Sequence, residues 1–163
     1  MTPQSVPFNC PWCHGYHTFS PNASVKYSQL SGNVQAYGQS SGESSQNVAG
    51  VEYVDFTNSS ITGCWLGTVP FYADGIAPSA KWWVSGVAIS VSIPAGVGFS
   101  QSGSGVAWNP GTVPHSSPYY CASANWQQDI KFSAAVINNA YFTAAADIAI
   151  SGQWYHVSGT GTW

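Results

Sequence analysis

The sequence contains no arginine, and its only strong cations are Lys26, Lys81 and Lys131. Six acids stand against these three lysines, so charged side chains make up 6% of the 163 residues. An ordinary soluble domain carries about 25%. With a net charge of −3, no basic surface can form to neutralise a phosphate backbone, so binding to nucleic acid is not expected. Between Lys81 and Asp129 there is no Asp, Glu, Lys or Arg at all. No uninterrupted apolar run reaches the ~18 residues of a membrane-spanning helix, so no transmembrane segment is expected. The residues before Cys10 lack a basic start and an apolar stretch, and so do not read as a signal peptide. Low charge does not mean disorder here, because aromatic residues reach 15%.

The dominant pattern that remains has a period of two. Val87, Ile89, Val91 and Ile93 alternate with Ala88, Ser90 and Ser92. Ile130, Phe132, Ala134 and Val136 alternate with Lys131, Ser133 and Ala135, and Phe142, Ala144, Ala146, Ile148 and Ile150 oppose Thr143, Asp147 and Ala149. Shorter alternating stretches occupy 51–56, 64–69, 105–108 and 153–157. Alternation of this kind marks half-buried strands. Turn residues separate the runs, at Asn138-Asn139, Ser151-Gly152 and Pro94-Ala95-Gly96 among others. The segments 38–47, 100–105 and 109–118 read as polar loops. The expectation is an all-β protein, an antiparallel β-sandwich of jelly-roll-like or immunoglobulin-like type. Residues 1–23, with Pro3, Pro7, Pro11 and Pro21, form an irregular, aromatic N-terminal arm, and 24–163 form the single domain.

The four cysteines are Cys10, Cys13, Cys64 and Cys121, all candidates for disulfides. Cys10 and Cys13 make a Cys-x-x-Cys pair followed by His14 and His17. Two thiolates at this spacing can grip one tetrahedral zinc ion, with a histidine as third ligand. Disulfide pairing competes with structural zinc, and a thioredoxin-type redox pair lacks its βαβ surroundings. No other cofactor is indicated. The run Tyr119-Tyr120-Cys121-Ala122 resembles the F-strand signature of immunoglobulin variable domains. The resemblance covers these four residues and implies a sandwich with Cys64 and Cys121 joined between the sheets. The tryptophan that family places about a dozen residues after its first cysteine has no counterpart after Cys64.

Catalytic sets are thin, and an enzyme is not expected. Gly38-Gln39-Ser40-Ser41-Gly42 matches a nucleophile elbow in pattern only, with no helix following. Glu52 and Asp55, three apart on a strand, point to opposite faces. Glu52 with Asp129, or Asp55 with Asp147, could meet across sheets and supply the two carboxylates of a glycosidase, but nothing selects a pair. His115 and His156 read as structural. Of the adjacent indoles, Trp83 is in phase with Val87 to Ile93 and belongs to the core, which leaves Trp82 facing a partner subunit or ligand.

So little charge leaves the edges of a β-protein without their usual protection. The favoured expectation is a structural, self-assembling homo-oligomeric subunit of a virion or of an extracellular surface layer or filament. The alternative is a secreted β-sandwich that binds glycans or another surface ligand. Two glycosylation sequons, at Asn22 and Asn58, weakly favour an extracellular or cell-surface location. A lesser alternative is a pore former whose membrane hairpin spans 84–108.

Overall fold

A computed structural model describes residues 15–67, 72–117, 119–126 and 129–163. These residues form no helix; they build two antiparallel sheets packed face to face as a β-sandwich. In chain order the strands are β1 (Tyr16–Phe19), β2 (Asn22–Lys26), β3 (Asn33–Gln46), β4 (Glu52–Leu66), β5 (Ala73–Val87), β6 (Ser90–Val91), β7 (Phe99–Ser102), β8 (Gly105–Trp108), β9 (Val113–Ser117), β10 (Tyr119–Trp126), β11 (Ile130–Ala134), β12 (Val136–Ile150) and β13 (Gln153–Thr162). The first sheet runs β1-β3-β4-β11-β6, with β2 alongside β1 on β3 and β10 alongside β11 on β4. The second runs β13-β12-β5-β8-β7, with β9 also on β5.

The segment 38–47, expected as a loop, lies almost wholly in β3. Its inward positions are Gly38, Ser40, Gly42 and Ser44, so the strand packs by being thin instead of by being greasy. A β-bulge explains how its partner β4 stays in phase. Asn58 takes a left-handed φ of 48°, and Asn58 and Ser59 together oppose Ser40. Inward side chains on β4 therefore switch from Glu52, Val54 and Phe56 to Ser59, Ile61 and Trp65. The bulge buries two hydroxyls, and they satisfy each other: Ser40 Oγ and Ser59 Oγ are 2.8 Å apart.

Two apolar clusters fill the space between the sheets. One gathers Phe56, Trp82, Phe132 and Phe142, the other Trp65, Ile76, Ile148 and Val157. The sheets approach tightly at Gly63, where an added Cβ would lie 2.5 Å from the Ala146 methyl. The alternation read over 142–150 holds within the longer β12, and Ile130, Phe132 and Ala134 face inward as expected.

The alternation read over Val87 to Ile93 does not form one strand. β5 ends at Val87, Ala88 adopts φ 56°, and the chain crosses from the second sheet to β6 in the first. The phase of that stretch cannot be carried back to the tryptophans, and their expected roles are reversed. Trp82 is 0% exposed and packs against Phe142, Trp108 and Phe99, so it is core and not a contact residue. Trp83 lies on the outer face, stacked on Tyr141 at 4.8 Å with Lys81 over its ring. The same crossing divides 84–108 between the two sheets, so these residues do not form a single hairpin. The described part of the expected irregular arm, from Gly15, carries β1 and the start of β2. The boundary placed at 23/24 therefore falls inside a strand.

Candidate functional site

Among the described residues, charged and polar side chains are densest on the outer face of the first sheet. Antiparallel register places Glu43 of β3 opposite Asp55 of β4, and Asp55 opposite Lys131 of β11. Tyr16 of β1 extends the row beyond Glu43. Asp129, just before β11, approaches Asp55 closely enough to hydrogen-bond with it. One row further along, Tyr53 stands between Ser45 and Ser133, and Asn47 Nδ2 donates to its hydroxyl at 3.1 Å. Four of the nine charged side chains in the whole sequence thus meet on one patch.

The patch is concave. A groove of about 350 Å³ is lined by Glu43, Ser45, Tyr53, Asp55 and Lys131. A second, of about 270 Å³, shares Tyr53 and Lys131 and continues over Ser90, Ser92 and Ser133 toward β6. Burial raises the Asp55 pKa from 3.8 to about 6; the Asp129 charge and hydrogen bond and the charge of Glu43 add to the rise, while Lys131 opposes it. Near pH 6 the Asp55 carboxyl therefore changes from hydrogen-bond donor to acceptor. A tyrosine ring beside hydroxyls, an amide, an ammonium and carboxylates suits a neutral, many-hydroxyl ligand.

Sequence reasoning named these carboxylates without selecting the pair. Asp55 meets Asp129 and Glu43, not Asp147, which lies on the second sheet. Glu52 does not meet Asp129. It points inward, 5% exposed, and its carboxylate accepts a 2.7 Å hydrogen bond from the Ile137 backbone N–H. Asp147 instead pairs with His156 Nδ1 at 2.7 Å across β12 and β13, on an exposed face.

Of the expected zinc ligands, Cys10, Cys13 and His14 lie outside the described residues. His17 sits on β1, where its ring stacks on Trp163 at 5.4 Å and meets the edge of Phe19 at 4.6 Å. Among the described residues, no three His, Cys, Asp or Glu side chains converge as a metal site. Cys64 and Cys121 form a disulfide, but not between sheets. They face each other on neighbouring strands β4 and β10 of the first sheet, with Cα atoms 4.1 Å apart. The bond pins β10 to β4, and Cys121 is solvent-exposed. The serine of Gly38-Gln39-Ser40-Ser41-Gly42 sits mid-strand in β3, with no strand-to-helix turn. His115 lies on β9.

No protein-family model matches the chain, and no curated protein matches its sequence.

Proposed function

We propose that this protein is a structural, self-assembling subunit of a virion or of an extracellular surface layer or filament. The observation that carries the reading is the segregation of charge. Four charged groups sit on one patch of the first sheet, and the long β10 flank of the sandwich has none. Neutral strands at a sheet edge lack the lysines and glutamates that ordinarily keep copies apart. Exposed Val87 and Val136, paired between β5 and β12, and exposed Val48 add apolar surface. The Cys64–Cys121 bond supports an oxidising location, which suits a virion or cell exterior. Sedimentation velocity and negative-stain electron microscopy of the purified protein test the proposal. Large regular particles or filaments are expected; a monodisperse monomer at high concentration overturns it.

The groove at Tyr53 favours a second reading, a secreted glycan-binding module. On that reading a glycan array gives specific hits that Tyr53→Ala abolishes, and the protein stays monomeric throughout.

A further inference from the structure

The backbone of β10 can be sorted residue by residue into groups that serve its own sheet and groups that do not. In an antiparallel ladder, directly opposed residues alternate between hydrogen-bonded pairs with Cα atoms about 5.5 Å apart and non-hydrogen-bonded pairs about 4.5 Å apart. Cys121 and Cys64 oppose each other at 4.1 Å, so theirs is a non-hydrogen-bonded pair. Ser123 opposite Thr62 and Asn125 opposite Ser60 share its parity. The close hydroxyl contact of Ser123 with Thr62, 2.8 Å, fits that assignment. Cys121, Ser123 and Asn125 therefore direct their backbone N–H and C=O groups away from β4. Among the described residues no strand pairs with that side of β10.

We propose that this edge is where a second copy of the chain docks, by antiparallel pairing of β10 with β10 about a two-fold axis. The inference rests on the self-assembly reading above and names the surface that reading needs. Three features of the strand commit the occupant to a copy of itself. A two-fold axis through an antiparallel pair matches every outward donor with an outward acceptor, whatever the sequence. The strand carries no charge, so the axis brings no like charges together, and an axis at Ser123 sets one small hydroxyl residue against its twin. The disulfide to β4 holds β10 extended before any partner arrives.

The other long edge, β13, is differently made. Ala140 and Trp163 exchange both backbone hydrogen bonds, so His156, by parity, points its carbonyl outward. That carbonyl is taken by the Tyr27 hydroxyl at 2.6 Å, in the middle of the edge. A strand arriving there would have to displace Tyr27; on the outer side of β10 no described strand is paired.

Hydrogen–deuterium exchange on the intact protein, assembled and diluted, reads the proposal at single amides. Amides of Cys121, Ser123 and Asn125 should exchange fast when diluted and slow in the assembly, while those of Ala122 and Ala124 stay slow in both. Asn125→Pro removes an outward N–H and leaves the ladder to β4 untouched. Ser123→Lys places charge at the axis without altering the backbone, should the proline variant fold poorly. Each should weaken association about tenfold or more, with near-ultraviolet circular dichroism unchanged. If the native protein assembles and both variants assemble equally well, or if protection appears at Trp154, Ser158 and Thr160 of β13 instead, the β10 assignment is overturned and self-assembly stands. A native protein that never leaves the monomer overturns both.

Discussion

The two sides of this sandwich are finished differently. Where β13 lies over β1 and β2, backbone and rings lock the sheets together. Gly159 and Gly161 on β13 have no side chains, which lets Ala23 and Phe19 approach to van der Waals contact. Phe19 packs against Phe56 and Trp163, Tyr27 meets Tyr155 edge-on, and Trp163 closes the chain end through two hydrogen bonds to Ala140. On the opposite side, β10 and β11 stand beneath β5, β8 and β9. Phe99, Trp108 and Trp126 fill the gap between sheets, but among the described residues no strand pairs with the outer edge of β10. One side spends its contacts on the monomer; the other keeps backbone groups available. The lesson is that low charge is tolerated where the fold covers its own edges, and that the proposed association belongs to the side where it does not.

The largest effect should come from opening the closed side. Phe19→Ala removes a ring that is 1% exposed and leaves a cavity bounded by Phe56 and Trp163. A loss of about 3–5 kcal/mol is expected in urea denaturation. A loss below about 1 kcal/mol would show that this side does not anchor the sandwich.

Next comes the disulfide on the open side. Replacing both Cys64 and Cys121 by serine should cost about 2–4 kcal/mol, because the bond closes a long loop in the unfolded chain. The loss should be local as well as global. Amides of Ala122 and Ala124 should lose protection before those of β12, whereas an unchanged order would mean that β10 is held by its ladder alone.

How much of this was legible beforehand differs element by element. Phe142 to Ile150 and Ile130 to Ala134 announce themselves because every second residue is apolar and the strands are regular. β3 does not, because Gly38, Ser40, Gly42 and Ser44 bury no apolar side chain, and a Ser/Gly run looks the same in a strand as in a loop. The alternating pattern reverses the roles of Trp82 and Trp83 because its phase runs through Ala88, where the backbone turns left-handed and the chain changes sheets. The fold class survives such errors, since it depends on many strands; a single side chain's direction does not. The carboxylate patch was beyond reach for a related reason. Asp55 and Asp129 meet only through the β4–β11 register, which pairing fixes and composition does not.

Glu52 links the sheets near the start of β12. Its buried carboxylate holds the Ile137 N–H just after the chain passes from β11 to β12. Glu52→Ala strands that donor, and a cost of about 1–3 kcal/mol is expected. Glu52→Gln retains an acceptor oxygen and should recover most of it; equal losses in the two variants would rule out the hydrogen bond as the cause.

The smallest expected effect is electrostatic and belongs to the open half. Asp55 titrates near 6 in the folded protein against 3.8 as its ordinary value, chiefly through burial and then through Asp129. Between those values the folded state holds a proton that the unfolded chain has released. Stability from this group is therefore greatest below about pH 4 and declines as the pH rises through 6. Asp55 is half-buried at the floor of a groove open to water, so solvent screening reduces the change to the order of 1 kcal/mol. Asp55→Asn should raise stability at pH 7 by about that much and flatten the profile between pH 4 and 6. Thermal unfolding of the variant and the parent across that range checks the assignment. An Asp55→Asn variant that is less stable than the parent at pH 7 would mean that Lys131, and not Asp129, governs this carboxylate.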